Sequence, residues 1–357
     1  MPSIEEQSRV VEAYRDAELY LLRLIAKAVD GSGTQAHYIN QQRELARLLK
    51  LAQARLDKLT GHIDQAVLEE LEAQYAAAVR EALAQTPTPV PSLVPTAAVE
   101  ATALDTATVI ASQHQTILRT VHDRYRQAAQ TAITRALVSG ESNTQTVQTM
   151  LNHMADTGIT GFVDRAGRNW DMGTYADIAV RTGRMRALNQ GHMDGWQQAG
   201  VELVRVSQHP ASHPWCYPFQ GKLLAITGPA GPRTMTDRVT GKQVTVTAVA
   251  TFDEAVSRGY HHVNCRHSEG AYMPGYTSNQ PEVVDEAENE RQYKALQRQR
   301  QIERNIRQWR KREAVALTPQ ERAYAKRKIR AWQAAQRDHV KAHSYLTRRY
   351  ERERVRA

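Results

Sequence analysis

The chain has only two cysteines, and each ends a His-x-x-Cys step: His213-Pro-Trp-Cys216 and His262-Val-Asn-Cys265, the second followed by His267. Thiolate and imidazole donors at this spacing can be aimed by a short turn at one ion, and zinc takes four such ligands tetrahedrally. Spacing alone favours His213 and His262 as partners of the two thiols. No Cys-x-x-Cys pair is present, so a blander reading stands beside it: the thiols are small buried hydrophobes, and the histidines bond backbone groups around a rigid loop. A catalytic reading is also open, in which a Cys-His pair forms an activated nucleophile or the Asn264-Cys265-Arg266-His267 stretch acts like the His/Asn loop of a metal-dependent nuclease. It lacks a carboxylate at a recognisable position to orient the imidazole.

Both cysteines lie in Val201 to Gly275 with five histidines, His209, His213, His261, His262 and His267. This stretch reads as three strands (Val201 to Val206, Gln220 to Ile226, Gln243 to Ala248) and a short helix from Phe252 to Arg258 stopped by Gly259. The elements around it are helical. Apolar spacing predicts helices over Ile4 to Val29, Thr34 to Leu59 and Ile63 to Leu83, with Thr60-Gly61 as a stop. Four prolines between Thr86 and Pro95 form a semi-rigid spacer. A helix over Ala97 to Ser139 and another over Asn143 to Thr157 follow. Gly161 to Trp170 has the turn residues of a hairpin, and Asp171 to Thr174 leads into a helix ending at Gly200, with Tyr175, Ile178, Ala179, Thr182, Met185 and Leu188 on one face. Beyond Pro281 two antiparallel helices meet near Ala316, the second started by Thr318, Pro319 and a capping-box Glu321. The expected fold is α+β: mostly α-helical and elongated, with a small central α+β module and a basic C-terminal helical hairpin. The expected divisions are 1–85 (helical bundle), 86–96 (linker), 97–200 (helical), 201–280 (His/Cys module) and 281–357 (basic helices).

The 357 residues are 41% hydrophobic with a mean hydropathy of −0.58, which fits helices with large solvated faces better than one compact globule. The N-terminus lacks the basic start and apolar run of a signal peptide, and no apolar stretch approaches the roughly 20 residues of a membrane span. A cytoplasm-like compartment is expected, where two cysteines argue against a disulfide framework. Charge is uneven: 291–357 holds 21 Lys and Arg against 6 Asp and Glu, whereas the other 290 residues hold 26 against 32. Arg298, Arg300, Arg304, Arg307, Arg310, Lys311 and Arg312, then Lys326, Arg327, Lys328 and Arg330, are candidates for contact with DNA phosphates or an acidic partner. The alternative is a solvated face whose arginine stems cover apolar surface. No base-reading motif is present, so a DNA contact would run through phosphates.

Several blocks resemble a known family. Gly167-Arg168-x-Trp170, Tyr175-x-Asp-x-x-Val180-Arg181-Thr182, Val204-x-Val-Ser207-x-His209, Cys216-x-Pro218-Phe219-Gln220-Gly221-Lys222, Asn264-Cys265-Arg-His267 and Pro274-Gly275 are similar, in order, to those of tailed-phage minor capsid proteins of the minor capsid protein 2 type, related to Mu F-like head proteins. Gln299-Arg300-x-Ile302-Glu303-Arg304-x-Ile306-Arg307 and Arg348-x-Tyr350-x-Arg352 extend the likeness into the basic tail. The resemblance implies a structural head protein, not an enzyme, located in the virion after a stage in the host cytoplasm. Its implied partners are the portal and capsid proteins and packaged DNA, with a part in head assembly, packaging or ejection. It also places weight on Arg181, Gln220, Gly221, Asn264, Pro274 and Gly275 as structural positions. Within it the implied structural Zn2+ set is His209, Cys216, Cys265 and His267, with His213 and His262 as alternates. The competing function is a metal-dependent hydrolase or nuclease-like effector using the same centre.

Overall fold

The computed structural model describes residues 8–30, 35–86, 96–139, 143–158, 171–262, 265–277 and 285–355. The proline-rich spacer between Thr86 and Thr96, the hairpin expected over Gly161 to Trp170, and Asn264 lie outside them. The fold is α+β and mostly helical. In chain order come α1 (Arg9–Asp30), α2 (Gln35–Ala84), α3 (Thr96–Ala111), α4 (His114–Ser139), α5 (Asn143–Thr157) and α6 (Met172–Gln198). Then follow β1 (Leu203–Val206), β2 (Leu223–Ala225), β3 (Gly231–Thr236), β4 (Gln243–Thr251), α7 (Phe252–Ser257), β5 (Glu269–Tyr272), α8 (Glu286–Ala314) and α9 (Pro319–Lys341). No helix among the described residues is long and apolar enough to cross a membrane.

The chain divides into two compact units: Met1–Glu6, Leu68–Leu104 and Arg181–Arg298 in one, Gln7–Val67, Asp105–Val180 and Gln299–Ala357 in the other. The first holds the sheet, of order β3-β4-β2-β1-β5. β1 pairs antiparallel with β2 and β5, β3 antiparallel with β4, and β2 parallel with β4 across a register shift at Leu223/Leu224. Side chains alternate across a strand, so Val204, Val206, Leu224, Ala250 and Ala271 point into one core with Trp196, Phe219, Tyr260 and both cysteines. Leu203, Leu223, Ala225 and Ala248 pack on the other face.

Two strands were not expected from the sequence. β3 is rich in Pro, Gly and Thr and pairs only at the sheet edge, with β4; β5 is short and follows the histidine loop. Within the same unit α6 packs on the C-terminal part of α2 through small residues. A Cβ on Gly191 would lie 2.6 Å from the Tyr75 carbonyl oxygen, and one on Gly195 2.7 Å from the Ala82 Cβ. The expected face of α6 holds in its second half, where Met185 and Leu188 are buried, and is corrected in its first: Tyr175, Ile178, Ala179 and Thr182 are only half-buried, whereas Ala176, Val180, Ala187, Gly191 and Gly195 are buried. Small residues carry little apolar signal, yet they allow two helix backbones to approach.

In the second unit α1 packs on α4 and α5, burying Val10, Tyr14, Leu21 and Ile25 from α1, Ile117, Val121 and Tyr125 from α4, and Leu151 from α5. Two element boundaries differ from the expectation. Thr60-Gly61 does not stop a helix: α2 runs through it for 50 residues. A helical glycine costs about 1 kcal/mol relative to alanine, a loss offset here because Ala52, Leu56, Leu59, Ile63 and Val67 continue one buried stripe at steps of three and four. Conversely, the helix expected from Ala97 to Ser139 breaks at Ser112-Gln113 into α3 and α4. His114 anchors the break, 2.6 Å from the Tyr14 hydroxyl and 3.0 Å from the Thr60 hydroxyl. A helix lacking a glycine or proline gives no local sign of such a tertiary anchor.

α8 and α9 form the expected basic hairpin, with the Trp309 and Tyr324 rings edge to face at 5.5 Å. Thr318 caps α9 by accepting the Glu321 N–H at 3.2 Å. The full reciprocal capping box occurs elsewhere, at α7, where Thr251 and Glu254 exchange side-chain and backbone bonds of 3.1 and 2.8 Å.

Candidate metal centre

Two loops of the first unit build the centre. The first leaves β1 at Ser207, which locks onto the second through Ser207 N–H to the Ser268 carbonyl at 2.8 Å and Ser268 N–H to the Ser207 hydroxyl at 3.0 Å. It then turns at Ala211, whose φ of 58° is in the left-handed region that most residues avoid. The start of α8 holds that turn. Asn289 accepts the Ser212 N–H at 2.8 Å and donates to the Ser212 carbonyl at 3.0 Å, and Gln292 accepts from Ala211 N–H at 3.1 Å. The loop closes as His213-Pro-Trp-Cys216 with Cys216 N–H on the His213 carbonyl at 2.9 Å. A 3-10 turn over Tyr217–Phe219 returns it to β2. Gly221, at φ 70°, makes that return and donates to the Val206 carbonyl at 3.1 Å.

The second loop leaves α7 through Gly259, at φ 96° and with the Trp215 ring against its α-carbon side. The buried Tyr260 hydroxyl donates to Glu269, and His261 Nε2 lies 2.8 Å from the same carboxylate. Cys265 N–H bonds the His262 carbonyl at 2.8 Å, the counterpart of the bond between Cys216 and His213.

The result brings Cys216 Sγ to 3.5 Å from Cys265 Sγ, both thiols free and buried. The ligand atoms of Cys216, His262 and Cys265 all lie within 4.8 Å of one another, which is the metal-capable group of His, Cys, Asp and Glu found among the described residues. The His213 ring lies tilted by 39° against His262 with centroids 4.0 Å apart. His267 is buried with Nδ1 3.5 Å from Cys265 Sγ and Nε2 3.2 Å from Gln220 Oε1. His209 Nε2 lies 3.2 Å from the Ser207 hydroxyl, and its ring meets the edge of His267 at 5.2 Å. Gln220 Oε1 also accepts the His209 N–H at 2.7 Å, so this one amide ties the two histidines to the loop.

Electrostatics separate the two thiols. The Cys216 thiol donating onto it, with His261 and His267 alongside, holds Cys265 far below the ordinary thiol range despite burial. The same hydrogen bond and then burial push Cys216 up, against backbone N–H groups from His261 and His262 that point at its sulfur. Burial works against a charged His261, yet Glu269 and Cys265 raise it to about 9. Burial and the neighbouring His262 lower His213, and burial and His267 lower His209. Glu269 is the orienting carboxylate that sequence reading did not find; its only signal was position, on a strand too short to recognise. Cys265 is 4% exposed and Glu269 5%, a setting that suits a closed structural site rather than attack on a bound substrate.

The other predicted positions fall elsewhere. Arg181 is half-buried in α6. Pro274 accepts the Arg238 N–H at 2.9 Å, and Gly275, at φ 78°, packs against the Asp237 carboxylate, so both brace the β3–β4 turn. Among the basic residues, Lys311 is buried between Glu18 at 3.0 Å and Asp171 at 3.8 Å. Arg312 makes a two-pronged pair with Asp156, and Arg307 donates to the Arg352 carbonyl at 2.6 Å. Arg304, Lys326, Arg327 and Arg330 are exposed, and Arg300, Arg310 and Lys328 half-exposed.

The family model described as Phage minor capsid protein 2 matches residues 4–341. A protein named structural protein of Lactococcus phage LL-H is 28% identical over 201 residues, covering 55% of this chain and 52% of that protein. Another of that name, from Lactococcus phage mv4, is 35% identical over 97 residues, 26% of this chain and 78% of that protein. The chain thus spans about half the length of the LL-H relative. No solved structure matches.

Proposed function

Because this chain belongs to the phage minor capsid protein 2 family, we propose that it is a structural component of a tailed-phage virion, held at the portal or inner capsid and acting in head assembly. The observation that carries this reading is the extent of the match, residues 4–341, which takes in the His/Cys loops and the basic hairpin alike. The name structural protein carried by both relatives supports it. The exposed cations Arg304, Lys326, Arg327 and Arg330 support a further part of the reading: contact with packaged DNA through phosphates during packaging or ejection. Their sign also suits an acidic face on a neighbouring head protein.

The test is mass spectrometry of purified particles, with and without the portal stripped. The expected result is the chain present in heads far below the major capsid protein and reduced when the portal is removed. Complete absence from particles overturns the reading. The competing hydrolase or nuclease reading draws on the Glu269, His261 and Cys265 arrangement. It predicts metal-dependent cleavage of DNA that is lost in His267→Ala or His261→Ala; the structural reading predicts no cleavage at all.

A further inference from the structure

We infer that Cys216, Cys265, His262 and His213 form a closed Cys2His2 zinc site that clasps the two loops of the sheet-bearing unit. In both His-x-x-Cys steps the Cys N–H bonds the His carbonyl, at 2.9 and 2.8 Å, and the two steps face each other sulfur to sulfur and ring to ring. Two thiolates on one tetrahedral zinc, each at about 2.3 Å, lie about 3.8 Å apart, and the Sγ to Sγ distance here is 3.5 Å. A disulfide needs about 2.0 Å, so the pair stands at the separation of ligands rather than of a bond. A ring nitrogen of His262 already lies within 4.8 Å of both sulfurs. His213 stands outside the three residues whose ligand atoms lie within 4.8 Å of one another, but its ring centroid is 4.0 Å from that of His262; the single lone pair of its Nδ1 takes the Trp215 N–H at 3.2 Å, so serving as fourth donor through Nδ1 means exchanging that bond for the ion.

The surroundings have the character of an outer shell. Backbone N–H groups of His261 and His262 point at Cys216, and the His267 N–H points at Cys265 Sγ at 3.4 Å. Such bonds hold sulfurs in place and moderate their charge. Soft thiolate with imidazole selects zinc over magnesium or calcium, and the burial of both sulfurs leaves no position for a reacting water. This set differs from His209 and His267. Those two rings are held by Ser207 and Gln220, and His267 acts as a support for Cys265.

The experiment uses the full chain, purified without chelator from zinc-supplemented cells. Elemental analysis should find one zinc per chain, and stripping with a chelator should lower the melting temperature, restored by adding zinc chloride. Cobalt(II) added to the stripped protein should give tetrahedral visible bands and thiolate charge-transfer absorption. It should also quench Trp215, whose ring lies 5.0 Å from His213 and 6.2 Å from His262, with the quenching reduced in Trp215→Phe. Cys216→Ser, Cys265→Ser, His262→Ala and His213→Ala should each fall well below one zinc, while His209→Ala and His267→Ala keep it. Should a cysteine variant fail to fold, the cobalt spectrum of the unmodified chain still decides the matter. Absence of stoichiometric zinc with no cobalt charge-transfer band, a mass two hydrogens short that marks a Cys216–Cys265 disulfide, or zinc lost in His267→Ala but kept in His213→Ala overturns the proposal. None of these outcomes depends on whether the chain is found in particles.

Discussion

The two units solve the same problem, burying polar groups, in different ways. In the sheet-bearing unit, Cys216, Cys265, His267 and Glu269 come from loops and a short strand: the two sulfurs face each other, His267 bonds Cys265 and Gln220, and Glu269 takes Tyr260 and His261. In the helical unit, Glu18, Lys311 and Asp171 come from α1, α8 and the residue capping α6, and they form an ion cluster between rigid rods. Loops can adjust to satisfy a group, whereas helices must already be in place. The first arrangement therefore suits a shaped site, and the second reports on helix packing.

The sharpest way to break the helical cluster is to remove its cation. Lys311→Ala takes the cation from the buried Glu18 carboxylate, while Asp171 keeps its Thr174 bonds, and should cost about 3–5 kcal/mol, because a buried charge loses its partner. Denaturant unfolding measures this, and the double change Lys311→Met with Glu18→Met should recover most of it. Little difference between Lys311→Ala and the unmodified chain would show that water reaches the cluster.

Next in size is the close helix approach of the other unit. Gly195→Ala places a methyl 2.7 Å from the Ala82 Cβ, and overpacking of this kind costs about 1–3 kcal/mol. Gly200→Ala is the informative companion, since no atom stands within 4 Å of its added Cβ but its φ is 67°. It should lose stability through backbone strain alone, by about 1 kcal/mol. Equal and negligible effects at both positions would mean that neither approach nor strain constrains this region.

Acidity sharpens the comparison further. Burial, opposed by Lys311 and reinforced by Asp171, raises Glu18 from 4.5 to about 7, so the folded chain keeps a proton that the unfolded chain has lost. Its contribution is fully present below pH 4.5, fades as pH rises to about 7 and is absent above that. Asp171 runs the other way. Burial is outweighed by Lys311, Arg307 and the Thr174 bonds, which lower it from 3.8 to about 2, so its contribution is present above pH 3.8 and lost as pH falls toward 2. Glu18→Gln should therefore flatten the decline in stability between pH 4.5 and 7 and leave the acid limb unchanged. A decline that persists in the variant would assign it to another group.

The smallest effect concerns the helix that launches the histidine loop. Thr251→Ala removes the capping box of α7 and should cost about 1 kcal/mol. Zinc stoichiometry should stay the same, since the cap touches none of the proposed ligands. Loss of zinc in this variant would show that α7 positions His262.

Much of the fold was legible in local pattern. The boundaries of α5, the start of α6 at Asp171, the α8 and α9 hairpin and the strands β1 and β4 follow from spacing, caps and β-branched runs. The misses share a cause. α2 passes through Thr60-Gly61 and α3 breaks from α4 at Ser112-Gln113 because of what packs against them. The part of α6 that approaches α2 most closely is glycine, at Gly191 and Gly195, which carries almost no hydropathy signal. At the centre, the His-x-x-Cys spacing was visible from the start, but Glu269 beside His261 was not.

By itself, then, the order of residues determined the helical class, the basic end and the pairing of each cysteine with a histidine three positions before it, because these depend on neighbours within a turn or two. Only the tertiary structure decided that the two thiols meet, that His262 rather than His209 stands within reach of both, and that Lys311 is a buried counter-ion instead of a surface cation. Those outcomes depend on segments tens to hundreds of residues apart, and the free energy that joins them comes from cores no local pattern describes.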